Sequence, residues 1–217
     1  MIDKEDTDIF WNWFKANCNE LHSDKYPNNV FTELDRRIVD FGLYWEVGPG
    51  ISKDNLLTIS TSGRRELFDR ANSFVNHAPI LDDWEFGILK KPKANWNILE
   101  IPDDNIKISA INWTYTLLKF KDGKREILIK GDTLTEFEKD KRIEFAEIVL
   151  TNLLGEERMM NDLEYVDVLE LDDTTYDMYN IEGLIKQLDY IKNGALQLGL
   201  RCVRSTNNEV PVARKLR

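Results

Sequence analysis

Cysteine is nearly absent from this 217-residue chain, in which Cys18 and Cys202 are the only two. So sparse a pair cannot make the dense disulfide framework of small secreted domains, and both read as free thiols in a reducing compartment. Long apolar runs are missing as well. The start Met1-Ile2-Asp3-Lys4-Glu5-Asp6 has neither the basic opening nor the apolar stretch of a signal peptide, and no membrane-length apolar segment follows. A cytoplasmic protein that does not use a membrane is the expectation. Histidine is scarce too: His22 and His77 stand far apart, with no Cys-x-x-Cys or His-x-x-x-His spacing, so no metal site is expected. Gly48, Pro49 and Gly50 do not lead into the Lys-Ser/Thr of a phosphate-binding loop, and the Gly-x-Ser-x-Gly elbow of hydrolases is absent. No cofactor is expected.

What is present suits a globular fold. With 42% hydrophobic, 11% aromatic and 31% charged residues, the chain can fill a core and keep a charged surface. The net charge is -10, but residues 201–217 carry Arg201, Arg204, Arg214, Lys215 and Arg217 against Glu209. Subtracting that +4 from -10 leaves -14 on the first 200 residues. An acidic body repels nucleic-acid phosphates and anionic membranes, and steers basic partners toward itself. Residues 204–217 read as a mobile basic tail, too short for a nucleic-acid site.

The hydrophobic pattern predicts an α+β fold. Phe10, Trp13, Phe14, Cys18 and Leu21 form one helical stripe, and Val30, Leu34, Ile38 and Phe41 another, ended by Gly42. Alternation then begins: Leu43, Trp45 and Val47, a turn at Gly48-Pro49-Gly50, and a second strand from Leu56 to Ser60. A helix bearing Leu67, Ala71, Phe74, Val75 and Ala78 stops at Pro79, and Trp84, Phe86 and Ile88 resume as a strand. Residues 90–105 read as a connection pinned by Trp96, Ile98, Leu99 and Ile101. Beyond it come a short strand at 106–110 and a hairpin of 113–120 with 125–130 through Asp122-Gly123, which suggests a type I′ turn. A helix over 143–154 is closed by Gly155, and a strand follows at 166–171. The last helix spans 181–191, and Leu196, Leu198, Leu200 and Cys202 alternate as a final strand.

Strand, strand, helix, strand thus occurs twice, after two N-terminal helices, and mostly antiparallel sheets are expected. The boundaries are 1–89 for the helices plus the first ββαβ unit and 106–203 for the second unit plus a C-terminal helix. Whether the two merge into one compact domain is open.

Glu46 and Glu85, each beside a tryptophan on a strand, form the one constellation that suggests chemistry. If those strands are neighbours, two carboxylates near aromatic rings could act as acid and base on a sugar, with His77 or Asp83 assisting. The plainer reading puts the rings in the core and the carboxylates in water. Trp13 falls on the helical stripe, which leaves Trp11 as the freer ring, so Trp11, Trp45 and Trp84 are candidate binding residues. The acid-rich run from Asp162 to Asp173 lacks the spacing and glycine of a calcium loop and reads as a solvated strand edge and turn.

The segments Phe10-Trp11-Asn12-Trp13-Phe14, Trp45-Glu46-Val47-Gly48-Pro49-Gly50, Ala78-Pro79-Ile80-Leu81-Asp82-Asp83-Trp84-Glu85-Phe86 and Leu153-Leu154-Gly155-Glu156 resemble an uncharacterised bacterial domain family. The resemblance covers most of residues 9–171 and implies an intracellular bacterial protein with no established reaction, so no catalytic role carries over. The expected function is a non-catalytic acidic binding protein, of adaptor, immunity or inhibitor type, with a basic protein as partner and no nucleic acid. The rivals are a hydrolase built on Glu46 and Glu85, and a sensory module holding a small ligand between the two ββαβ units.

Overall fold

The computed structural model describes residues 3–101, 105–192 and 201–202. The chain divides after Lys90 into two compact units, Met1–Lys90 and Lys91–Leu216. The last part of the second unit, including Leu196, Leu198 and Leu200 of the expected final strand and the tail at 204–217, lies outside the described residues.

The first unit opens with α1 (Lys4–Asn17) and α2 (Asn29–Asp40). Asp3 starts α1 by accepting from the Glu5 amide, and Asn28 starts α2 by accepting from the Val30 and Phe31 amides, which satisfies donors left open in a first turn. Gly42, at φ +68°, ends the second helix through its amide to Val39 O. Then follow β1 (Tyr44–Pro49), β2 (Asn55–Ser60), a short 3-10 turn, α3 (Phe68–Val75) and β3 (Trp84–Ile88). The sheet order is β1-β2-β3, with β1 antiparallel and β3 parallel to the central β2. Val47, Leu57 and Phe86 stand side by side on the face that joins Phe10, Phe14, Leu34, Ile38 and Phe74 of the helices in one core.

Two expectations need correction here. Trp11, not Trp13, is the core tryptophan of α1: it is 3% exposed and its indole donates to Phe74 O at 2.9 Å. The buried stripe runs Thr7, Phe10, Trp11, Phe14, because the bulk of α3 and β3 presses on that side, with Phe74 and Phe86 rings about Trp11. Trp13 is half-buried under the Arg37 guanidinium, 4.8 Å from its ring centre. Gly48-Pro49-Gly50 is likewise not the turn. β1 continues through Pro49, which an edge strand tolerates, and the turn lies at residues 50–54.

The second unit begins with β4 (Ile98–Ile101) and β5 (Ile106–Ser109), an antiparallel pair. The stretch expected as a connection is therefore partly sheet, with Leu99 buried and Trp96 and Ile101 packed on the core. Next come β6 (Thr114–Lys119), β7 (Arg125–Lys130), α4 (Lys139–Leu154), α5 (Glu156–Asp162), β8 (Tyr165–Val168), β9 (Tyr179–Asn180), α6 (Leu184–Lys192) and β10 (Arg201–Cys202). Here β6 is antiparallel and β8 parallel to the central β7, the pairing scheme of the first unit. β9 (antiparallel) and β10 (parallel) both join the other edge of β6. Antiparallel pairing predominates, but the sheets are mixed. The β6–β7 loop is not the type I′ turn: Phe120 and Lys124 close a three-residue loop in which only Gly123 is left-handed.

The fold is α+β, with two helices ahead of the first sheet. Replacing Trp11 by Phe removes the indole donor to Phe74 O, which keeps the His77 amide at 3.3 Å, and opens a void, an expected loss of about 2–4 kcal/mol in urea unfolding. Trp13→Phe should cost about 1 kcal/mol or less.

Candidate functional site

Glu46 and Glu85 lie on the same face of the first sheet but do not share a position. Glu46 stands opposite Thr58 and Glu85 opposite Leu56, on the two strands flanking β2. Strand spacing and rise then put their Cα atoms about 11–12 Å apart. The Glu85 carboxylate is engaged with the β1–β2 turn: it accepts from the Ile51 amide, from the Ser52 amide at 3.3 Å and from the Ser52 hydroxyl at 2.8 Å. The Ile51 amide above all, then the Ser52 hydroxyl, holds its carboxyl below the usual carboxylate range. Gly50 is required beside it, since a Cβ there would fall 2.6 Å from Glu85 Oε1 and against Lys53 O.

The other candidates of this unit also have structural partners. Exposed His77 places Nδ1 2.8 Å from Ser73 O after the end of α3. Asp83 acts through its backbone carbonyl, which accepts from the Asn55 amide and side chain at 3.0 and 3.2 Å. Trp84 is buried in the core, as Trp11 is, so neither ring offers a binding surface. Trp45 is half-buried, stacked on Phe31 and donating to Asp35 at 2.9 Å.

A groove among the described residues lies in the second unit, where none was expected. Tyr115, Tyr179, Glu182, Lys186, Gln187 and Tyr190 line most of a cavity of about 690 Å³ between the β6–β9 pair and α6. β6 brings Tyr115 opposite Tyr179, with ring centres 6.3 Å apart. Burial, aided by Tyr179, pushes the Tyr115 hydroxyl up to about 12, so it stays protonated and donates to Gln187 Oε1. Tyr179 and Tyr190, 44% and 42% exposed, present their rings to solvent.

The chain leading into this groove is acidic. Between Arg158 and Lys186 there is no Lys or Arg, against Asp162, Glu164, Asp167, Glu170, Asp172, Asp173, Asp177 and Glu182. The fold supplies cations to the first four: Arg158, Lys124, Lys139 and Arg142, the last with both nitrogen–oxygen contacts from one Nη at 2.9 and 3.0 Å. The other four follow in the segment that crosses the end of the sheet, where Lys130 donates to Leu171 O and Asp173 O, and that then pairs with β6 through β9.

Glu126 is a separate titrating group. It is 4% exposed on β7, and burial, reinforced by Asp167 and opposed by Lys139, pushes it up to about 7. Among the described residues no group of three His, Cys, Asp or Glu is arranged to hold a metal ion, and no helix is long and apolar enough to cross a membrane. No family model matches the chain, and no curated protein or solved structure matches it.

Two pH effects follow. Glu85 has a depressed folded pKa, so its contribution is present above the unfolded value of 4.5 and lost as pH falls through the folded value. Glu85→Gln should lower Tm at pH 7, and the gap to the parent should narrow as pH falls below the unfolded value of 4.5. Glu126 has a raised pKa, so stability is full below 4.5, declines as pH rises toward about 7 and levels off above it. Glu126→Gln should flatten the decline and gain about 1–3 kcal/mol at pH 8 in urea titrations.

Proposed function

We propose that this is a non-catalytic binding protein whose partner is basic, acting as an adaptor, immunity or inhibitor protein, with the acidic side of the second unit as its contact surface. The observation that carries the reading is the run without Lys or Arg between Arg158 and Lys186, whose last acid, Glu182, lines an aromatic groove. Charge of one sign concentrated at a cleft raises both association rate and selectivity. The rival hydrolase reading has less support, because Glu85 is held at low pKa by the turn it organises, the wrong state for a general acid near neutral pH. Membership of the bacterial family suggested by the motifs, and a cytoplasmic location, belong to the same proposal.

The test compares two triple variants with equal loss of charge. Asp172→Asn/Asp177→Asn/Glu182→Gln should weaken binding of a fluorescent nona-arginine peptide at least tenfold at moderate salt. Glu5→Gln/Asp6→Asn/Asp8→Asn, on the exposed face of α1, should change it less than twofold. Equal losses in the two variants would reduce the effect to net charge and defeat the proposal.

A further inference from the structure

We propose that the groove between β6, β9 and α6 is a pocket for an arginine side chain presented by the partner, a guanidinium lying against the rings of Tyr179 and Tyr190 with Glu182 as its counter-charge. This rests on the reading of a basic partner and names the site at which it is held.

The protein itself shows the contact at two of its tyrosines. Tyr44 has the Arg64 guanidinium 5.2 Å from its ring centre, and Tyr165 has the Lys124 ammonium at 5.8 Å. Tyr179 and Tyr190 are similarly open to solvent, yet no cation of the described residues lies over either ring. A planar guanidinium is the cation that both stacks on such rings and offers several donors at once. Acceptors are at hand: Glu182 is exposed at the groove wall, and the Tyr115 hydroxyl, which donates to Gln187 Oε1, keeps lone pairs to accept with.

Gly183 lies beside that oxygen at the groove floor. A Cβ built there would meet only the Tyr115 hydroxyl, at 3.8 Å, and its φ is not left-handed. A larger side chain is thus compatible with the backbone while covering the floor of the groove. Lys186 is the one feature that opposes a cationic guest: it lines the groove one helical turn after Glu182. Its charge sets the sign of the decisive experiment.

The full-length protein, labelled with ¹⁵N, is titrated with N-acetyl-arginine amide and with its neutral isostere N-acetyl-citrulline amide. Arginine should shift the amides of Tyr179, Glu182, Gly183, Gln187 and Tyr190, and citrulline should leave them unmoved. With nona-arginine, Gly183→Leu should weaken binding at least tenfold, and Lys186→Glu should tighten it at least threefold. Tyr190→Ala, at an exposed position, serves in place of Gly183→Leu if that variant does not fold. If the groove variants bind normally while the Asp172/Asp177/Glu182 variant still fails, the arginine pocket is refuted and the basic-partner reading stands. If no variant alters binding, both fall. If Lys186→Glu weakens binding, or N-acetyl-glutamate amide moves the same amides where arginine does not, the guest is anionic and the proposal is overturned.

Discussion

Both units depend on one constraint: a hairpin whose apolar face must be roofed by the helix that follows it. Once α3 or α4 has crossed that face, the chain emerges at the end of the sheet where the hairpin's second strand began. The third strand can then pair with it only in parallel. This makes the second strand of each hairpin central. β2 and β7 accordingly carry buried residues on both faces, including Thr58 and Ser60 in one and Glu126 in the other. The elevated pKa of Glu126 follows from its burial on this strand, reinforced by Asp167 on the parallel strand beside it.

Much of this was legible because its signals are local. Helical stripes, Gly42 and Gly155 at helix ends, and the alternation of β6 and β7 each depend on residues within a few positions of one another. The parallel pairings were not legible: a strand that joins an edge after a helix shows the same alternation whichever way it runs. Trp11 and Trp13 were misassigned for a related reason. Both fit a stripe on α1, and the choice between them is made by Phe74 and Phe86, more than 60 positions away. α5 was missed because it is short and follows Gly155 directly, where the helical pattern of α4 had already closed.

The candidate residues divide in the same way. The motifs around Trp45 and Trp84 are adjacent in the fold, and what joins them is a turn: Glu85 reaches Ile51 and Ser52, Lys53 reaches Leu81 O, and Asn55 reaches Asp83 O. Gly48-Pro49-Gly50 at the end of one strand and Trp84-Glu85 on another therefore serve the closing of a turn, with Gly50 needed where the carboxylate comes closest. The sequence offered the residue types but no means of telling a carboxylate that holds a turn from one that moves a proton.

The groove had a weaker trace. Tyr190 lies in a helix whose buried positions are Leu184 and Leu188, so it falls off the apolar stripe, but a single exposed ring is ordinary and by itself points to no site. The partner ring, Tyr115, is 64 positions upstream of Tyr179 and looks like an ordinary core residue of a strand. The acidic run from Asp162 to Asp173 reads in the sequence as a solvated strand edge and turn, yet four of its acids meet cations: Asp162 meets Arg158 of its own helix, and Glu164, Asp167 and Glu170 meet Lys124, Lys139 and Arg142 of other elements. The later acids lead on toward the groove, where Glu182 stands in the wall. The acid–cation pairs tie β8 to its surroundings, and Glu182 sets a carboxylate beside two open aromatic rings, an arrangement with more use in recognition than in stability.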